Sequence, residues 1–142
     1  MFVRWQRRRL KRYRQGCDAG EEVLSAVVVE SRRVDGKPRQ KMIRYLGTVR
    51  ESDITRPRPM SLDRFWTRVD GALDELGIHG AARLVMESTV KARVPRPDPE
   101  QLERTRAEFD AWKGGMQSMM QSMASGRRPR QPRRRQTAPA TV

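Results

Sequence analysis

Few residues in this chain are of types that do covalent or acid–base chemistry. It carries one cysteine, Cys17, and one histidine, His79. One of each can form neither an intrachain disulfide nor a Cys/His zinc site. Cys17 sits in a Gly/Asp-containing loop, where nearby arginines could lower its pKa, but a bystander thiol is the simpler reading. His79 follows Gly77 in a turn between two helical segments and has no nucleophile or carboxylate near it in sequence, so a helix-start role is expected of it. The carboxylates are scattered, most with an arginine three or four residues away. No paired-carboxylate or phosphate-loop signature is present. These residues predict a protein that is not an enzyme, with no metal and no cofactor.

The abundant chemistry is cationic. Of 142 residues, 31 are Lys or Arg against 17 acids, giving a formal net charge of +14. Only five of the cations are lysines. Arginine's planar fork donates two parallel bonds to phosphate or a base edge, which lysine cannot do. The charge is concentrated in blocks. Residues 1–14 carry +7, residues 31–50 carry +6 and residues 127–142 carry +6, while residues 51–126 carry −1. Concentrated positive charge is what a polyphosphate ligand rewards, because each neutralised phosphate releases counterions. The candidate nucleic-acid contacts are therefore Arg7, Arg8 and Arg9 in the first block, Arg32, Arg33, Lys37, Arg39, Lys41 and Arg44 in the second, and Arg127, Arg128, Arg130, Arg133, Arg134 and Arg135 in the third. Each block also has a plainer reading, as a solvated hairpin whose cations protect a strand edge or as a solubilising tail.

The elements that must hold these blocks follow from pattern. Residues 1–14 mix aromatics with cations and read as a basic arm or a first strand. Residues 24–34, LSAVVVESRRV, are rich in β-branched types. Asp35-Gly36 follows, the dipeptide of a two-residue type I′ turn, and residues 37–49 return as a second strand. That register opposes Arg32 to Arg39, Glu30 to Lys41 and Val28 to Ile43. Pro38 is tolerated opposite Arg33 if the return strand is a sheet edge there. The two facing arginines repel, which suggests an anion between them.

After a Pro-punctuated linker the period changes to 3.6. Ser61 reads as the N-cap of a helix over 61–76, with Leu62, Phe65, Trp66, Val69, Leu73 and Leu76 on one face and Gly77 closing it. A second helix is expected over 80–93 through Leu84, Val85 and Val90. A third is expected over 98–123, with Leu102, Phe109, Trp112 and Met116 as its apolar stripe and Gly114-Gly115 weakening it. Trp66 and Trp112 are expected to pack on the apolar root of the hairpin. The arrangement predicts an α+β fold, a short antiparallel sheet packed on two or three helices, as a single domain over 15–124. Residues 125–142, rich in Arg and Pro, are expected to be disordered. No apolar run approaches membrane-spanning length and no secretion signal precedes the domain, so a cytoplasmic protein, nucleoid-associated if it binds DNA, is expected.

The string VVVESRRVDGKPRQKMIRYLGTV resembles the N-terminal hairpin of certain DDE-type insertion-sequence transposases, and resembles more closely a group of short bacterial proteins that share it. Val29, Glu30, Ser31, Arg33, Gly36, Lys37, Arg39, Gln40, Tyr45, Leu46 and Gly47 carry the likeness. Phe65, Trp66, Val69, Leu73, Leu76 and Gly77 match the helix that follows in the short proteins. The resemblance covers roughly residues 24–77. It implies association with mobile DNA, as an accessory or remnant, and supplies no activity. The sequence departs at Arg44, where the family more often has a small residue, and the spaced acidic triad of the transposase nuclease core is absent. The expected partner is nucleic acid, DNA before RNA, bound without catalysis. The alternative is a protein-interaction adaptor that docks a partner, or a second copy, through the Met-rich third helix.

Overall fold

The computed structural model describes residues 1–11 and 20–125. The tail arginines fall outside the described residues, as does Cys17. Three strands form one antiparallel sheet in the order β1-β2-β3: β1 (Phe2–Arg9), β2 (Glu22–Val34) and β3 (Lys37–Arg50). Four helices follow: α1 (Glu51–Thr55), α2 (Pro59–Glu75), α3 (Gly80–Lys91) and α4 (Pro99–Ser125). The α+β class is as the sequence predicts, and β1 realises the first-strand reading of the N-terminus. No described helix is long and apolar enough to cross a membrane.

The chain divides into two compact units, residues 1–106 and 107–142. The first holds the sheet and its core. Leu24, Ala26 and Val28 of β2, Val3 of β1 and Leu46 and Val49 of β3 meet Leu62, Phe65, Trp66, Val69 and Leu73 of α2. Ala72 of α2, Ile78, Met86 and Val90 of α3 and Val94 complete the cluster. Phe65 is central to it. Its ring stacks on Trp5 at 6.4 Å and meets Trp66 edge-on at 6.2 Å. The Trp66 indole N–H donates to the Pro95 carbonyl at 3.2 Å, and the Arg96 guanidinium lies 4.4 Å from its ring. These contacts fasten the segment after α3 onto α2, burying Val94 completely.

Asp35 and Gly36 both have positive φ, 51° and 71°, as a type I′ turn demands. Arg32 faces Arg39, Arg33 faces Pro38 and Glu30 faces Lys41, as expected. The expected pairing of Val28 with Ile43 is corrected: Val28 pairs with Arg44. Register shifts between Ala26 and Val27 and between Val28 and Val29 leave Leu46 and Ile43 as extra residues on β3. Each bulge reverses the alternation of faces. Leu46 turns into the core, and between the two bulges Tyr45 lines a cleft with Arg64 and Arg68 of α2 while Arg44 pairs with Glu75.

Several helix expectations are also corrected. α2 starts at Pro59 with Arg58 as N-cap, not at Ser61, because proline is preorganised for a helix's first position. The five-residue α1, between the hairpin and the Pro-punctuated segment, was not anticipated. α2 ends as expected at Gly77, whose N–H donates to the Asp74 carbonyl while that of Ile78 donates to Leu73. In α3 the buried residues are Met86 and Val90, while Leu84 and Val85 are exposed. α4 runs unbroken through Gly114-Gly115 and buries no residue. Trp112, expected on the hairpin root, is 58% exposed. Trp5 of β1 takes that place beside Phe65.

Gly47 limits how close Phe65 can come. A Cβ at position 47 would lie 3.1 Å from Phe65 Cδ2 and 3.3 Å from Cε2. Gly47→Ala is expected to destabilise the domain by about 1–3 kcal/mol through overpacking. Denaturant unfolding measures it; a variant as stable as the parent would mean the ring moves freely.

Candidate nucleic-acid interface

β1 pairs with β2 only as far as Val29, opposite Phe2. Beyond it, residues 30–41 continue as a two-stranded ribbon, five residue pairs from Glu30–Lys41 to Val34–Lys37. At the strand rise it reaches about 15 Å past the three-stranded sheet. Residues 31–42 are all exposed. The side chain period of two sorts the ribbon's cations by face. Arg32, Lys37, Arg39 and Lys41 share the face on which the helices pack lower down, with Glu30 as its one carboxylate. Arg33 lies on the opposite face, with Ser31, Pro38 and Gln40.

Arg32 Nε donates to Glu30 Oε2 at 2.7 Å. Among the described residues Arg33, Lys37, Arg39 and Lys41 form no ion pair, so three unneutralised cations stand on the helix-side face. Arg44, turned by the bulges, is paired with Glu75 at the end of α2. It is therefore apart from the ribbon cations with which the sequence grouped it.

The N-terminal cations divide by the same alternation. Arg7 and Arg9 face Glu22, with Arg7 Nη1 and Arg9 Nη2 each 3.4 Å from its carboxylate, and Arg7 also lies 3.6 Å from Glu51. A hydrogen bond with Glu51, then the charges of Arg7 and Arg9, hold the Glu22 carboxyl below its ordinary range. Arg8 lies on the other face of the strand. It lines an open cleft of about 470 Å³ with Tyr45, Thr48, Arg50, Arg64 and Arg68. Arg64 and Arg68 were not anticipated from the sequence. Their spacing of four on the exposed side of the α2 stripe was the available signal, and only the packing of α2 on β3 brings it to Tyr45. Arg127, Arg128, Arg130, Arg133, Arg134 and Arg135 lie outside the described residues.

Other arginines are committed to the fold. Arg83 donates to Asp74 and to Glu87, which raises its pKa further above the ordinary value, and Arg96 donates to Asp70 at 2.7 Å. Arg106 reaches Asp63 at 2.9 Å. His79 is the residue before α3, and its side chain makes no capping bond. No group of three or more His, Cys, Asp or Glu capable of holding a metal occurs among the described residues.

Compared with known protein families, curated proteins and solved structures, the chain finds no match. The likeness to a transposase hairpin thus rests on the sequence string alone.

The Glu22 cluster predicts a pH dependence. A carboxyl whose folded pKa is depressed stabilises the fold at neutral pH, and that contribution disappears as pH falls through the folded value. Glu22→Gln should melt lower than the parent near neutrality and together with it in strong acid. Thermal melts across that range check this; a gap that persists in acid would assign the effect to packing.

Proposed function

We propose that this chain is a non-catalytic nucleic-acid-binding protein that grips the phosphate backbone through its β-ribbon. One observation carries the reading. The ribbon projects beyond the third strand, fully exposed at its end, with Lys37, Arg39 and Lys41 unneutralised on one face. A ribbon that served only to complete the sheet would not need to outrun its neighbour. Duplex DNA is favoured over duplex RNA. The major groove of B-form DNA is about 12 Å wide and admits a two-stranded ribbon, whereas that of A-form RNA is deep and narrow. Arg8, Arg64 and Arg68 beside Tyr45 offer further phosphate contacts. The hairpin's resemblance to insertion-sequence transposases supports a place among mobile-element accessory proteins or their remnants, and such a protein would act at the nucleoid.

A second reading is favoured by a separate observation. α4 is a 27-residue helix with no buried residue and an exposed row of Phe109, Trp112 and methionines. A helix of that kind docks a protein, and an adaptor would use it while its cations only solubilise.

The two readings differ in their response to salt. Replacing Lys37, Arg39 and Lys41 together by Ala should lower DNA affinity across sequences and flatten the slope of log K against log salt by up to ~3 units. The core should be unaffected, since none of the three side chains enters it. Removing residues 127–142 should flatten the slope further, by at most ~5 units, and lower affinity more at low salt than at high. Fluorescence anisotropy with duplex DNA, duplex RNA and a neutral polymer measures all three slopes. Binding that is insensitive to salt, or absent for every nucleic acid, would leave the adaptor reading standing.

A further inference from the structure

The exposed row on α4 has a period. Phe109, Trp112, Met116, Met119 and Met123 fall at successive a and d positions of a heptad, and Leu102 falls at the a position one heptad earlier. At 3.6 residues per turn these residues and Met120 share one stripe about 100° wide. Phe109, Trp112, Met116, Met119, Met120 and Met123 are between 46% and 66% exposed. The Phe109 and Trp112 rings lie 5.8 Å apart, side by side on that stripe. Within the second unit, α4 is the only element of the described residues.

Most helical stability in proteins comes from the packing of an apolar face, and Gly114 and Gly115 each cost a helix about 1 kcal/mol relative to Ala. The sequence nevertheless keeps one clean apolar stripe through them. Such a segment is stabilised when the stripe is covered.

The charges beside the stripe say what covers it. With Phe109 at a, Glu108 stands at the g position on one flank, and Arg106 and Lys113 stand at e positions on the other. In a parallel, in-register pair, a g residue faces the e residue five positions on in its partner. That sets Glu108 against Lys113 of the second copy, twice by symmetry. An antiparallel pair opposes e to e and g to g, which brings cations together. Gly115, at the g position three residues after Trp112, carries no side chain to crowd the indole at the seam. We infer that α4 pairs with α4 of a second copy as a parallel two-stranded coiled coil whose seam is Phe109, Trp112, Met116, Met119 and Met123.

The inference rests on the docking reading of α4 and supplies its partner. It is independent of nucleic-acid binding but has a consequence for it. A dimer carries two ribbons, and engaging the second is an intramolecular step that strengthens binding without a new contact.

Analytical ultracentrifugation of the full chain over a range of concentrations tests the pairing. A reversible dimer is expected. Trp112→Glu with Met116→Glu should give a monomer whose sheet domain unfolds at the same denaturant concentration, since neither residue belongs to the core cluster. Glu108→Lys alone should weaken the dimer several-fold by opposing Lys to Lys, and Glu108→Lys with Lys113→Glu should restore it. A dimer indifferent to the stripe substitutions, or a double exchange that fails to restore association, overturns the proposal. So does a monomer at every concentration. An apolar dye then separates the causes. A monomer whose dye binding is lost with Trp112→Glu keeps a docking face for another partner, and a monomer that binds no dye loses both readings.

Discussion

The seating of Phe65 against the backbone of Gly47 is the contact on which the described domain depends. α2 can lie on β3 only at a distance that the Phe65 ring allows, and the absence of a side chain at position 47 sets that distance. The ring then bridges to Trp5 on the far strand and to Trp66 on its own helix. Trp66 in turn anchors Pro95 and Arg96, which carry the chain from α3 to α4. One aromatic ring thus connects both outer strands, the main helix and the segment after α3. Moving it would move the cationic residues of α2, since Arg64 and Arg68 flank it on the helix surface.

The two bulges in β3 are the second constraint. They put Leu46 into the core under α2 and send Tyr45 out beside Arg8, Arg64 and Arg68. They also sort the cations. Arg44 is turned to Glu75, while the arginine and lysines nearer the turn keep regular alternation and remain exposed. Charge in this protein therefore has two uses. Arg7, Arg9, Arg44, Arg83, Arg96 and Arg106 pair with carboxylates and tie elements together. Surface pairs of this kind each contribute little to stability, about 0–1 kcal/mol, so their main effect is to fix orientation. Lys37, Arg39 and Lys41 have no such partner among the described residues and are available to a ligand.

Local chemistry made much of this legible in sequence. Asp35-Gly36 announced the turn because only a few residue types accept positive φ at both positions, and the turn fixed the register from Val34–Lys37 down to Glu30–Lys41. The apolar period from Leu62 to Leu73 announced α2. Where a residue's role depended on a distant partner, the sequence was silent or misleading. Val85 looked like core but is exposed, because α3 presents Met86 and Val90 to the cluster instead. Trp112 looked like core because of its type, yet among the described residues no residue of α4 is buried.

The sequence by itself determined the class of fold, the hairpin with its turn and the concentration of positive charge. These are properties of neighbouring residues, set by backbone sterics, side-chain period and composition. Only the tertiary structure decided which arginines are free. Whether Arg44 meets a phosphate or Glu75 depends on two extra residues in a strand and on the end of a helix 31 residues away. Neutralisation of a charge is a matter of distance in space, and the bulges that set those distances are selected by the fit of Leu46 and Ile43 to a helix that the strand's own sequence does not contain.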